Sequence, residues 1–108
     1  MRVYGITGWK NSGKTGLMER LVEEYCCRGL TVSTIKHAHH SFDVDQPGSD
    51  SYRHRAAGAQ QVLLTSRNRY VLMHELRRAD EPSLDELLSK LAPVDLVLID
   101  RCKGAVAP

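Results

Sequence analysis

Between Ile6 and Gly16 the chain reads Thr7-Gly8-Trp9-Lys10-Asn11-Ser12-Gly13-Lys14-Thr15. Gly8-x-x-x-x-Gly13-Lys14-Thr15 has the residue types and spacing of a phosphate-binding P-loop. Gly8 and Gly13 permit backbone turns that a Cβ would obstruct, so that successive amide N–H groups point at phosphate oxygens. Lys14 adds a point charge for β- and γ-phosphates, and the Thr15 hydroxyl is placed to ligate Mg²⁺. With Asn11, Ser12 and Gly16 these residues make up the candidate nucleotide-binding segment. The competing reading is an ordinary glycine turn before a helix. The flanks favour phosphate: an apolar run, Val3-Tyr4-Gly5-Ile6, precedes the motif and an amphipathic helical pattern follows it.

A second chemical signal is Leu96-Val97-Leu98-Ile99-Asp100, a nearly all-aliphatic strand ending in a carboxylate. Open α/β sheets bind ligands at the C-terminal ends of their strands. Asp100 is therefore a candidate to hold Mg²⁺, directly or through water, beside Thr15. The bland alternative is a strand that ends in a solvent-facing Asp.

Between these signals lies His37-Ala38-His39-His40-Ser41-Phe42-Asp43-Val44-Asp45. The histidines lack accompanying cysteine pairs, so polar contact with phosphate, Mg²⁺ or another polar ligand is favoured over a zinc site. A solvated loop is the remaining reading. Asp43 and Asp45 point the same way in an extended chain and are candidate Mg²⁺ ligands. Arg53 or Arg55 suits an anionic ligand, because guanidinium matches phosphate bidentately. A salt bridge with Asp50 explains either arginine equally well.

The elements that must position these groups follow from periodicity. A first strand leads into a helix from about Lys14 to Arg28, with Leu17, Leu21, Val22 and Tyr25 on one face and Gly29 at C′. Leu30 to Lys36 is a second strand, giving a βαβ unit. Ser51 to Ala59 suits two turns of helix ending near Gly58. Gln61–Thr65 and Tyr70–Leu76 suit a hairpin around Ser66-Arg67-Asn68-Arg69. Ser83–Leu91 has the clearest helical spacing, with Ser83-x-x-Glu86 as a capping box. The fold class expected is α/β, a P-loop NTPase-type three-layer sandwich with a mostly parallel sheet.

Composition bounds the function. The 108 residues suit a single domain, 1–108, with a real core. Lys and Arg total 15 against 13 Asp and Glu, with one Trp and one Phe, so neither bulk charge nor base stacking points to nucleic acid. Cys26, Cys27 and Cys102 read as reduced thiols. No leader precedes the first strand and no apolar run approaches membrane-spanning length, so no membrane association is expected and a cytoplasmic location is.

The run from Lys36 to Ala59, KHAHHSFDVDQPGSDSYRHRAAGA, together with the Gly8 P-loop, resembles the MobB family of molybdopterin-guanine dinucleotide biosynthesis adaptors. The resemblance extends from Met1 to about Lys103. It implies a GTP-binding protein, with Mg²⁺, that assists the guanylyltransferase attaching GMP to molybdopterin, and it points to a homodimer. At the end of the last strand the family pattern Val-Glu-Gly-Phe-Lys is replaced by Ile99-Asp100-Arg101-Cys102-Lys103. The family also continues beyond the position of Pro108, so the chain is either a naturally short form or a fragment.

No Asn/Thr-Lys-x-Asp base-reading motif is present, so the preference for GTP comes from the resemblance. No catalytic residue is assigned, and slow hydrolysis at most is expected. A small-molecule or nucleoside kinase, and a nucleotide-binding module without turnover, are the alternatives. For the dimer, Arg67 to Arg78 is the expected interface: Tyr70, Leu72, His74 and Leu76 alternate with Val71, Met73 and Glu75. One set would face the core and the other the partner, with Val71 and Met73 the positions where added charge should disrupt it.

Overall fold

A computed structural model of the chain describes residues 1–9, 14–37 and 45–103, with only the backbone at 8, 9, 14, 15 and 101–103. In chain order the elements are β1 (Arg2–Trp9), α1 (Lys14–Cys27), β2 (Val32–Lys36), α2 (Asp50–Ala57), β3 (Gln61–Thr65), β4 (Tyr70–His74), α3 (Leu84–Ser89) and β5 (Leu96–Lys103). They divide into two compact units, 1–41 with 85–108, and 42–84. The class is α/β with a parallel sheet, as the sequence predicts.

In the first unit β5 lies between β1 and β2 and runs parallel to both. The β1–α1–β2 succession forms, but its two strands are not neighbours. The reason is burial. Leu96, Val97, Leu98 and Ile99 are all 5% exposed or less. A strand apolar on both faces is most stable at the centre of a sheet, where both its edges are paired and both faces covered.

Met18, Leu21, Val22 and Tyr25 of α1 pack with Leu96 and Leu98, joined by Ile6 and Val32. The buried stripe therefore begins at Met18, and Leu17, expected on that face, is exposed. Met18, Leu21, Val22 and Tyr25 follow helical spacing more closely. Gly29 closes α1 as expected: φ is +84°, its N–H donates to the Cys26 carbonyl, and the Leu30 N–H donates to the Tyr25 carbonyl.

The starts of β2 and β5 are joined by side chains. Asp95 Oδ2 accepts from the Thr31 N–H (2.8 Å) and from Thr31 Oγ1 (3.1 Å), while the Asp95 N–H donates to Thr31 Oγ1 (2.9 Å). The backbone bond from Thr31, then its hydroxyl, hold the Asp95 carboxyl below its ordinary pKa. α3 is shorter than the sequence suggests. It tightens after Ser89, where the Lys90 and Leu91 N–H groups donate to the carbonyls of Leu87 and Leu88.

In the second unit α2 is capped at both ends. Ser49 Oγ accepts from the Tyr52 N–H (3.3 Å). Gly58, at φ +119°, donates to the Arg55 carbonyl and Ala59 to that of His54. Gly58→Ala should destabilise the chain by about 1–2 kcal/mol, because a Cβ is strained at that φ. Gly5, where an added Cβ meets nothing within 4 Å, provides the comparison. Urea unfolding of both Ala variants checks this, and equal losses would contradict it.

β3 and β4 form the expected hairpin, with Leu63 opposite Leu72 and Val62 opposite Met73. Side chains alternate across the ladder, so Val62, Leu64, Val71 and Met73 share one face and Leu63, Thr65, Tyr70 and Leu72 the other. Val62 is buried and Val71 and Met73 are half-buried, whereas Leu63, Tyr70 and Leu72 are exposed. This reverses the expectation that placed Val71 and Met73 on the outer surface. Alternation alone distinguishes two faces without saying which is covered.

Candidate functional site

In the first unit the C-terminal ends of β1 and β2 open at the same edge of the parallel sheet. Between Trp9, the last residue of β1, and Lys14, the first of α1, runs the middle of the phosphate-binding motif. Asn11, Ser12 and Gly13 lie outside the described residues. Lys14 and Thr15 occupy the first turn of α1, where unpaired amide N–H groups and the helix dipole favour an anion.

Two details differ from expectation. Gly8 belongs to β1, opposite Cys102, rather than to a turn. β5 likewise continues past Asp100 to Lys103, so Asp100 is not the end of its strand. Both follow from the same ladder, since β1 and β5 remain paired along their whole length. At Gly16 an added Cβ would come no nearer than 3.5 Å to Arg20 Nη1, an ordinary contact, so packing among the described residues does not require glycine there.

Asp100 is 9% exposed and stands opposite Ile6 on β1 and Lys36 on β2. Its carbonyl accepts from the His37 N–H (3.3 Å), which places His37 at the exit of β2 beside it. Lys36 Nζ lies 3.5 Å from Asp100 Oδ2. A buried carboxylate opposite the last residue of β2, towards the C-terminal edge of the parallel sheet, fits Mg²⁺, a hard cation that takes one or two protein oxygens and completes its shell with water and phosphate. The Lys36 ammonium marks the position as one that accommodates positive charge. Among the described residues no group of three or more His, Cys, Asp or Glu side chains could hold a metal, so a cage of the kind zinc prefers is not seen there.

The second unit holds the other candidates. Arg53 is exposed on α2. Asp45, expected as a Mg²⁺ ligand, has both oxygens held by Arg55, at 2.6 Å from Nη2 and 3.4 Å from Nε. Arg55 Nη1 also donates to Glu75 Oε1 (2.8 Å), and its guanidinium lies 5.2 Å from the centre of the Tyr52 ring. The Asp45 side chain is 3% exposed and that of Arg55 15%. Burial pushes the Asp45 carboxyl up, but hydrogen bonds from Arg55 and Ser51 and the guanidinium charge outweigh it and hold the pKa below the ordinary value. This carboxylate is a structural partner rather than a metal ligand, since a cation there would have to displace a bidentate guanidinium. Asp43 lies outside the described residues, as do His39 and His40.

The sequence reading missed two participants. Lys36 was recognisable as the last residue of β2 and the first of the family run, but its position beside Asp100 depends on β5 being next to β2. Glu75 follows β4 without any motif, and only the hairpin's return brings it to Arg55. An open cleft of about 240 Å³ lined by Tyr52, Arg55, Ala56, Glu75 and Arg77 adjoins this network. Arg77, at φ +53°, donates from Nη2 to the Ala59 carbonyl (3.0 Å).

A parallel sheet, a strand β1 followed closely in sequence by the helix α1, and a buried Asp on the adjacent strand β5 define an α/β protein of the open-sheet class. The chain belongs to the MobB family: the family model described as "Molybdopterin guanine dinucleotide synthesis protein B" matches residues 3–108. It is 41% identical over 103 residues to the molybdopterin-guanine dinucleotide biosynthesis adapter protein of Escherichia coli K12, covering 94% of this chain and 59% of that protein. Against the adapter protein of the same name from Haemophilus influenzae it is 42% identical over 108 residues, covering 98% and 60%. The crystal structure of Bacillus subtilis MobB superposes with a TM-score of 0.74 at 28% identity, over 100% of this chain and 65% of that one. The chain thus spans about three fifths of the length of the curated relatives it matches.

Proposed function

We propose that this chain binds GTP with Mg²⁺ and acts as an adapter for the guanylyltransferase that attaches GMP to molybdopterin. The observation that carries the reading is the family match, combined with a complete phosphate-loop sequence leading into α1 and Asp100 on the neighbouring strand. Gly8 and the 11–16 segment hold the phosphates, and Lys14 neutralises the β- and γ-oxygens. Thr15 and Asp100 would supply oxygen ligands for Mg²⁺, which would neutralise phosphate charge when bound. His37 and Arg53 are retained as contacts for phosphate or a molybdopterin-type ligand. Hydrolysis is slow at most, because no side chain described here is assigned to orient an attacking water.

Calorimetric titration with GTP and with ATP, each with Mg²⁺, tests the first step, with preferential GTP binding expected. Stimulation of GMP transfer by the guanylyltransferase tests the second. Failure to bind GTP would remove the proposal, and GTP binding without stimulation would remove the adapter role. Among the described residues no helix is long and apolar enough to cross a membrane, and the cytoplasm is the compartment we propose.

Self-association belongs to the same proposal. Leu63 (61%), Tyr70 (72%) and Leu72 (51%) place exposed apolar surface on one face of the hairpin, and a two-fold contact covers such a face with one self-complementary patch. Leu63→Lys with Leu72→Lys should convert a dimer to the 12.1 kDa monomer at micromolar concentration. Sedimentation equilibrium measures this. A dimer that survives the double substitution would exclude the hairpin face.

A further inference from the structure

We infer that Lys36 is a charge placeholder at the metal site: its ammonium accompanies the Asp100 carboxylate until a divalent cation arrives with the nucleotide. The inference rests on the nucleotide–metal reading above and extends it to a residue that the reading does not use. Lys36 closes β2 directly opposite Asp100 of β5, so the strand ladder itself holds the two side chains at the same edge of the sheet.

The two partners differ sharply in exposure. The Asp100 side chain is 12% exposed and that of Lys36 71%. A largely buried carboxylate loses hydration and gains from a nearby cation. A lysine with a solvated head on a flexible stem can supply that charge and withdraw into water at small cost. The separation of 3.5 Å is also looser than a close charge-assisted hydrogen bond. An arginine fork in this position would grip the carboxylate through two bonds and resist exchange. A lysine does not, which suits a cation meant to be displaced.

Lys36 thereby disfavours metal binding in the absence of nucleotide. Its charge competes for Asp100 when the site is empty, and repels a divalent ion placed beside it. When the triphosphate brings further negative charge, the balance shifts to the metal. The coupling between metal and nucleotide is reciprocal, so loosening it from the metal side alters both affinities.

Mn²⁺ binding followed by electron paramagnetic resonance, without and with GTP, tests this on the full chain. The Lys36 head is mostly solvated and its contact with Asp100 is loose, so Lys36→Met should bind Mn²⁺ alone about two- to fivefold more tightly than the unmodified chain. The strengthening of Mn²⁺ binding by GTP should shrink by a similar factor. Lys36→Arg should retain weak nucleotide-free binding, and Asp100→Asn should lose the site whether or not Lys36 is also changed. Thermal melts establish that each variant is folded. A loss of stability alone would weaken Mn²⁺ binding, so tighter binding is the sign a merely structural lysine cannot produce. Unchanged or weaker binding in Lys36→Met, with Asp100→Asn still disruptive, would overturn the placeholder and leave the metal reading standing. Mn²⁺ binding indifferent to Asp100→Asn would overturn both.

Discussion

Lys14→Ala is expected to weaken binding of GTP with Mg²⁺ by about 30-fold or more. The lysine is the charge of the phosphate-binding segment, and hydrogen bonds to charged groups contribute about 1.5–3 kcal/mol each. Losing about 2 kcal/mol corresponds to roughly that factor. The helix N-terminus remains, so residual phosphate affinity should persist rather than vanish. Stability should hardly change, because Lys14 precedes the buried α1 stripe that starts at Met18. Calorimetry and a thermal melt on the same preparation separate the two effects. Undiminished GTP affinity in a folded variant would end the phosphate-loop reading.

Arg55→Met should be the most damaging substitution in the second unit, lowering Tm by roughly 10 °C or more. It leaves the Asp45 and Glu75 carboxylates near one another without their shared cation, and Asp45 is almost fully buried. Arg55→Lys should fall in between, since an ammonium cannot hold both oxygens of Asp45 while reaching Glu75.

The same ion pair makes a pH prediction. The folded-state pKa of Asp45 is lowered, so its contribution is fully present above the ordinary value of 3.8 and is lost as pH falls through the lowered value. The gap in Tm between the unmodified chain and Arg55→Met should therefore be constant near neutrality and close as pH falls, beginning where the buried Asp45 of the variant, without the guanidinium, takes up its proton and ending once the lowered value in the unmodified chain is passed. Asp95, lowered by Thr31, follows the same sign in both proteins and so cancels from the comparison. A gap that persists at pH 2 would show that Arg55 acts through packing on Tyr52 rather than through Asp45.

What the chain determined by itself was whatever local geometry decides. The helical stripe through Leu21, Val22 and Tyr25, the glycine closures at Gly29 and Gly58, the hairpin around Ser66–Arg69 and the apolar β5 are all legible there, whereas the exchange of Leu17 for Met18 on that stripe is not. Periodicity and allowed φ act within a few residues, and the phosphate-loop spacing and family pattern are likewise written in one short stretch each. Tertiary structure decided which distant groups became neighbours. The insertion of β5 between β1 and β2 put Lys36 beside Asp100. The return of β4 brought Glu75 to Arg55, which already held Asp45, and so turned an expected metal ligand into an ion-pair partner. Burial of Val62 made Val71 and Met73 the inner face of the hairpin and left Tyr70 and Leu72 outside. Strand order and register are set by burial summed over the sheet, and a change of partner moves every side chain's neighbours while leaving local propensity unchanged.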